Sequence, residues 1–113
     1  MTKRYVPDRG DIVWLNFTPQ SGREQAGKRP AIVVSPKKYN QKVGLADFFP
    51  ITNKIKGYPF EVHLPDNVHV NGVILSDQIK SLDWRSRNIK FVCNLNENYV
   101  ADAIKRFCVL LKK

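Results

Sequence analysis

The side chains with the clearest capacity for chemistry in this sequence are basic. They are grouped in three predicted loops: Arg23, Lys28 and Arg29; Lys54 and Lys56; and Arg85 and Arg87. With 19 Lys and Arg against 10 Asp and Glu, the chain of 113 residues has a formal net charge of +9. Such an excess on a small domain favours a polyanionic partner over a merely solvated basic surface. The charge alone does not separate RNA from DNA, a membrane surface or an acidic protein.

The histidines and cysteines are not spaced like metal ligands. His63 and His69 are the only histidines, and Cys93 and Cys108 are fifteen positions apart with no Cys-x-x-Cys motif. We therefore expect neither a metal nor another cofactor. Both cysteines are expected to be buried core thiols rather than a disulfide or a nucleophile.

The length and composition indicate a single globular domain over residues 1–113. Hydrophobic residues make up 42% and charged residues 26% of the chain, an ordinary globular balance. No apolar run approaches the ~20 residues that cross a bilayer. The N-terminal segment is basic but lacks the apolar stretch of a secretory signal. We expect a cytoplasmic protein with no membrane partner.

Most of the sequence is typical of short strands separated by turn residues. The predicted strands are DIVWLNFTP, AIVVS after Pro30, GLADFFPIT with an interruption at Pro50, YPFEVHL, VILS and NIKFVCNL. The run AIVVS is apolar throughout, which indicates a strand buried on both faces. Asn71-Gly72 predicts a type I′ hairpin turn before VILS.

The period of the apolar residues changes near the C-terminus. Val100, Ile104, Phe107 and Leu111 recur at helical spacing, and either Asn96 or Asn94 can cap the helix that they predict. Many short strands followed by one helix predict a mainly β fold with a C-terminal α-helix. The expected architecture is a small, strongly bent barrel closed by that helix.

Four segments of the chain, in order, resemble one protein family. They are RYVPDRGDIVWLNF (residues 4–17), REQAGKRPAIVVSP (23–36), KGYPFEV (56–62) and GVILSDQIKSLDWRSR (72–87). Any one of them is a weak signal, but four in register identify a resemblance to the MazF/PemK family of toxin endoribonucleases, and to its MazF members above all. The resemblance covers nearly the whole chain.

This resemblance implies a fold, an activity and partners. The fold is the SH3-like, CcdB/PemK-type small barrel, assembled as a homodimer. The activity is that of an mRNA interferase, the toxin of a type II toxin-antitoxin system. It cleaves single-stranded RNA at specific sequences, without metal or ribosome, and leaves a 2′,3′-cyclic phosphate and a 5′-hydroxyl. The implied partner is a cognate MazE-like antitoxin whose acidic tail lies across the RNA site.

The resemblance also implies site residues. The catalytic candidates are Arg29, Thr52 and Glu24, and the RNA-binding candidates are Lys28, Lys54, Lys56, Gln78 and Arg87. Arg29 can clamp phosphate oxygens with its planar guanidinium, and Thr52 can donate its hydroxyl to one of them. Glu24 can accept the proton of the 2′-hydroxyl or orient Arg29, and the resemblance also implies a proton-transfer role for Arg29, although arginine is a reluctant acid or base. No metal is obligatory, because the nucleophile is part of the RNA.

Taken singly, each of these residues has a simpler interpretation. Arg29 is then a loop cation, Glu24 a solvated partner of neighbouring cations, and Thr52 an ordinary strand residue. Asp77-Gln78 is more typical of a turn than of a base-recognition element, and both tryptophans are more typical of packing than of base stacking. Two other functions also remain open. One is a CcdB-like toxin that binds gyrase, although the terminal VLLKK lacks a tryptophan, and the other is a non-catalytic SH3-like binding module.

Overall fold

Residues 4–17 and 28–112 are described in the computed structural model of the chain. They form β1 (Asp11–Asn16), β2 (Lys28–Val33), α1 (Lys37–Val43), β3 (Leu45–Thr52), β4 (Glu61–His63), β5 (Val73–Leu75), β6 (Lys80–Asp83), a 3-10 turn (Trp84–Ser86), β7 (Lys90–Asn94) and α2 (Glu97–Val109). Each segment predicted as a strand overlaps one strand, but β2 begins at Lys28, so Lys28 and Arg29 lie in a strand and not, as predicted, in a loop. Strand β6 and helix α1 are not predicted from the sequence. In the described part of the chain, no helix is long and apolar enough to span a membrane.

Strand β3 organises the sheet. One of its edges pairs with β2, and the other edge pairs with β6 over its first half and with β5 at its end. The strand order is β4-β5-β3-β2-β1-β7, with β6 also on β3, and every pairing is antiparallel. The mainly β fold with a C-terminal helix is confirmed. Among the described strands no pairing joins β4 to β7, so the sheet is strongly bent but is not closed into a hydrogen-bonded barrel.

Pro50 does not interrupt β3, contrary to the expectation from the sequence. It lies opposite Ala31 of β2 within a continuous strand. On the other edge of β3, the last residue paired with β6 is Phe48 and the first paired with β5 is Ile51. Proline lacks a backbone N–H and is tolerated where a sheet edge needs no donor. The gap between β6 and β5 provides such a position.

The core consists of two apolar clusters on the two faces of the bent sheet. The first contains Ile12, Ile32, Phe49 and Ile51 together with the inner side of α2, and the second is built on Val13, Leu15, Ala31, Val33, Phe48 and Trp84. Because successive side chains of a strand point to opposite faces, β1 and β2 each contribute to both clusters. The prediction that AIVVS is buried on both faces is confirmed.

Helix α2 begins where the sequence predicts. The side chain of Asn96 accepts a hydrogen bond from the backbone N–H of Asn98, which makes Asn96 the cap. The predicted stripe packs on the sheet through Val100, Ile104 and Phe107. Leu111 lies beyond the helix and is 69% exposed, so the stripe ends one turn earlier than predicted.

Two other expectations are wrong. Cys93 is half-buried against the first cluster, but Cys108 lies on the outer side of α2 and is exposed. The Asn71-Gly72 pair does not form a type I′ turn, because residues 64–72 connect β4 to β5 and Asn71 does not have the positive φ that this turn requires. Gly72 has a φ of 120°, and a Cβ there would lie 2.1 Å from the carbonyl oxygen of Thr52. The glycine therefore permits a close backbone approach rather than a tight hairpin.

Candidate active site

The sheet register brings Arg29 and Thr52 together. In the β2–β3 ladder Ala31 lies opposite Pro50, and continuing this antiparallel register by two residues places Arg29 opposite Thr52. On the outer sides, Arg29 pairs with Leu15 of β1 and Thr52 pairs with Val73 of β5. The two side chains thus occupy neighbouring positions at one end of adjacent strands.

Both residues line one concavity of about 330 Å³. Its polar side chains are Lys28, Arg29, Thr52, Asn53, His69 and Asn71, and its apolar part includes Trp14, Pro30 and Ile51. A guanidinium and an ammonium group beside hydroxyl and amide groups suit a phosphate with an adjoining sugar. The indole of Trp14 adds a flat apolar surface on which a base can stack.

A second concavity, of about 380 Å³, adjoins the first and shares Thr52 with it. It is lined by Thr52, Lys54, Lys56, Tyr58, Glu61, Leu75 and Gln78. The structure thus brings together four of the five RNA-binding candidates, namely Lys28 in the first concavity and Lys54, Lys56 and Gln78 in the second. Lys54 is also tied to the shared residue, because its backbone N–H donates to Thr52 Oγ1 at 3.1 Å.

The loop that carries Lys54 and Lys56 is held by the carboxylate of Glu61. Its two oxygens accept the backbone N–H of Lys56 at 2.9 Å and of Gly57 at 2.8 Å. These two hydrogen bonds, the one from Lys56 foremost, hold the pKa of Glu61 below its usual range, although burial opposes them. Glu61 itself is only 6% exposed. A single buried carboxylate therefore fixes the backbone beside two exposed lysines.

Tyr58 connects this loop to the turn after β5. Its hydroxyl donates to Asp77 Oδ1 at 2.8 Å, and the backbone N–H of Gln78 donates to Leu75 O at 3.2 Å. Burial raises the pKa of Tyr58, and the hydrogen bond to Asp77 adds to the effect. The sequence-based interpretation of Asp77-Gln78 as a turn is confirmed. The same turn places Gln78 on the wall of the second concavity.

Arg87 is the one described candidate site residue that lines neither concavity. Arg87 follows the 3-10 turn and contacts Asn16, the last residue of β1. Its guanidinium donates to Asn16 O at 3.1 Å, and its carbonyl accepts the backbone N–H of Asn16. Its buried Nε has no hydrogen-bond partner in the described part of the chain. Glu24 falls in residues 18–27, which lie outside the described residues.

Trp14 and His69 are among the lining residues that were not predicted as part of a site. Trp14 was assigned to packing, but it is 38% exposed and lies opposite Pro30 at the edge of the first concavity. Its position on β1 between buried Val13 and Leu15 is the sequence signal that could have shown it. His69 was considered only as a metal ligand. No pattern in the sequence shows its place, because it lies in the irregular connection between β4 and β5.

Comparison with known proteins agrees with this fold and identifies a family. A family model described as "PemK-like, MazF-like toxin of type II toxin-antitoxin system" matches residues 8–111. The chain is 53% identical over 87 residues to the endoribonuclease toxin MazF of Escherichia coli strain K12, covering 77% of this chain and 78% of that protein. It is 34% identical over 112 residues to the endoribonuclease toxin ChpB of the same strain, covering 94% and 95% respectively.

Solved structures agree as well. The MazE-MazF crystal structure (Form-II) from Deinococcus radiodurans matches with a TM-score of 0.89 and 49% identity, over 96% of this chain and 97% of that one. An endoribonuclease from a mycobacterial species matches with a TM-score of 0.72 at 14% identity, over 95% of this chain and 92% of that chain, which supports the fold alone. The family match spans nearly the whole chain, so this chain belongs to the PemK-like, MazF-like toxins of type II toxin-antitoxin systems.

Proposed function

We propose that this protein is a metal-independent endoribonuclease that cleaves single-stranded RNA, and that it acts as the toxin of a type II toxin-antitoxin pair in the cytoplasm. The single observation that carries the proposal is that Arg29 and Thr52 line one concavity. Its relatives in Escherichia coli bear the name endoribonuclease. None of the relatives named here is a gyrase-binding toxin, so the CcdB-like alternative is not favoured.

The chemistry follows from what RNA supplies. The 2′-hydroxyl attacks the adjacent phosphorus, negative charge develops on the non-bridging oxygens, and the 5′-oxygen departs. Arg29 donates to those oxygens through its planar guanidinium, and the Thr52 hydroxyl donates beside it. Glu24 is the candidate to take the proton of the 2′-hydroxyl. The products are a 2′,3′-cyclic phosphate and a 5′-hydroxyl.

The second concavity can bind the nucleotides that flank the scissile linkage. Lys54 and Lys56 are exposed side chains of one loop, and each can neutralise a phosphate on one side of the scissile linkage. Gln78 offers an amide at the opposite wall, which can donate to and accept from a base edge. The open grooves suit a single strand whose bases are splayed apart.

The same positive surface suits an acidic inhibitor. An antitoxin segment rich in carboxylates would compete with RNA for Arg29 and the lysines, because both ligands present negative charge to the same cations. MazE accompanies MazF in the Deinococcus radiodurans structure. We extend this to a MazE-like antitoxin for the present chain, and to assembly as a homodimer.

The proposal is tested by incubating the purified protein with a defined single-stranded RNA in EDTA. We expect cleavage with cyclic-phosphate ends. Arg29→Ala should fold and should cleave about 10²–10³ times more slowly, as is typical when one donor to a developing oxyanion is lost. Lys38→Ala removes the same charge from an exposed position on α1 and should cleave like the wild type. Intact RNA with the wild-type protein, or full activity in Arg29→Ala, would contradict the proposal.

A further inference from the structure

A histidine lines the same concavity as Arg29 and Thr52. His69 lies in residues 64–72, between β4 and β5, and its side chain is exposed rather than buried in the core. The other histidine, His63, is exposed on β4 and lines neither concavity. The two histidines therefore differ in their access to a bound phosphate.

The connection that carries His69 is anchored on both sides of it. Val70, the next residue, is 6% exposed and belongs to the first apolar cluster. Gly72 lies directly against the carbonyl of Thr52, and its own carbonyl accepts the N–H of Leu64 at 3.0 Å. The backbone around His69 is thereby fixed relative to Thr52. The backbone of this connection therefore places His69 at the rim of the concavity.

The proposed reaction lacks an effective acid, because the proton-transfer role that the resemblance gives Arg29 would need a guanidinium, which gives up its proton reluctantly. The departing 5′-oxygen needs a proton, and its supply typically contributes 10²–10⁴ in rate. Arg29 and Lys28 carry guanidinium and ammonium groups, which are weak acids, while hydroxyl and amide side chains are weaker still. An imidazolium both holds and releases a proton near neutral pH. Of the described side chains that line this concavity, only His69 carries an imidazole.

We propose that His69 is the general acid of RNA cleavage, an inference that rests on the proposed function. As the bond from the 2′-oxygen to phosphorus forms and the bond from phosphorus to the 5′-oxygen breaks, the imidazolium passes its proton to the 5′-oxygen. The proton of the 2′-hydroxyl passes to the base that the proposed function already requires. The neutral imidazole then regains a proton from water, and the enzyme returns to its starting state.

The test uses two RNA substrates that differ only in the leaving group. One carries the ordinary 5′-oxygen at the scissile linkage, and the other carries sulfur there, because a thiolate departs without protonation. His69→Gln should cleave the ordinary RNA about 10²–10⁴ times more slowly than the wild type at saturating protein. It should cleave the sulfur-substituted RNA at close to the wild-type rate. His63→Gln, the matched control, should behave like the wild type on both substrates.

The outcomes separate this inference from the function on which it rests. If His69→Gln is equally slow on both substrates, the residue serves RNA binding or the shape of the site, and the inference is overturned. If His69→Gln equals the wild type on the ordinary RNA, His69 has no part in the step. If the wild-type protein cleaves neither substrate, RNA cleavage itself is wrong. Equal circular dichroism and melting temperature of the variants ensure that the rates compare folded proteins.

Discussion

The chemistry that we propose depends on few side chains, and backbone contacts place them. Arg29 and Thr52 line one concavity at the ends of the neighbouring strands β2 and β3, and His69 lines it in a connection whose Gly72 lies against the Thr52 carbonyl. Glu61 acts in the same way on the lysine loop, through the N–H groups of Lys56 and Gly57. These placements are local, so each can be altered without rebuilding the fold.

The two hydrogen bonds that Glu61 accepts from Lys56 and Gly57 predict how the stability of the folded protein depends on pH. Because hydrogen bonds lower the pKa of Glu61, its carboxylate stabilises the folded protein above the usual titration range of glutamate, and this contribution is lost as the pH falls through the folded-state pKa. Glu61→Gln should therefore be less stable than the wild type at pH 7, and the difference should vanish in acid. Urea midpoints at pH 7, 5 and 3 measure it. Glu97→Gln, an exposed control on α2, should show a smaller dependence. A stability difference between Glu61→Gln and the wild type that is the same at pH 3 as at pH 7 would contradict this role of the Glu61 carboxylate.

At the scale of elements, the irregular connections carry as much of the site as the strands do. The β4–β5 connection brings His69 and Asn71 to the concavity, and the loop after β3 brings the lysines. Both depend on glycines with positive φ, Gly72 at 120° and Gly57 at 85°. The two differ in their surroundings, because a Cβ at Gly72 meets the Thr52 carbonyl whereas a Cβ at Gly57 meets nothing within 4 Å.

This difference predicts that a glycine-to-alanine substitution lowers the free energy of unfolding by different amounts at the two positions. Gly57→Ala should lower the free energy of unfolding by about 1–2 kcal/mol, the usual cost of a left-handed backbone for a residue with a Cβ. Gly72→Ala should cost clearly more, because the backbone must also move away from Thr52, and RNA cleavage should fall with it. Urea denaturation of both variants measures the stability, and the RNA assay measures the activity. Equal costs for the two variants would show that the close approach at Gly72 does not matter.

The elements also show what the sequence could predict. Strand alternation, the buried run AIVVS and the cap at Asn96 follow from side-chain period and local hydrogen bonding, so β1, β2 and α2 are predicted well. The type I′ turn fails because Gly72 serves a contact with Thr52, which lies twenty positions away in sequence. His69 escapes prediction for the same reason. Its role depends on where an irregular segment lies relative to β3, and no local pattern encodes that distance.

At the scale of the whole molecule, part of the positive charge is concentrated at the two concavities. The net charge of +9 is shared by many exposed lysines, but Lys28, Arg29, Lys54 and Lys56 are the ones gathered at the two adjoining concavities. An unspecific basic surface would bind RNA wherever it landed. Under the proposed function, we expect this set of cations to draw the RNA strand across Thr52 and to offer an acidic antitoxin the same surface.

The salt dependence of RNA affinity distinguishes lysines that contact the RNA from lysines elsewhere on the surface. The RNA for this test carries a 2′-deoxy sugar at the scissile position, so that it binds without being cleaved. Lys54→Ala and Lys56→Ala should each reduce the slope of log affinity against log salt by about 0.7, the value for one lost phosphate contact on a single strand. Lys38→Ala, with the same loss of charge on α1, should leave the slope unchanged. Equal slopes for all three variants would mean that the lysine loop does not contact the strand.

The central claim is that Arg29 and Thr52 act on one phosphate. A double-mutant cycle tests it most directly. Single-turnover cleavage rates of a defined RNA in EDTA are measured for Arg29→Ala, Thr52→Val and the double variant. Thr52→Ser is the control that keeps the hydroxyl. Loss of one hydrogen bond to a charged oxygen should slow Thr52→Val by about 10–10². Two groups that share one transition state are not independent, so the double variant should be slowed far less than the product of the two single effects. A double variant slowed by the full product would contradict the claim.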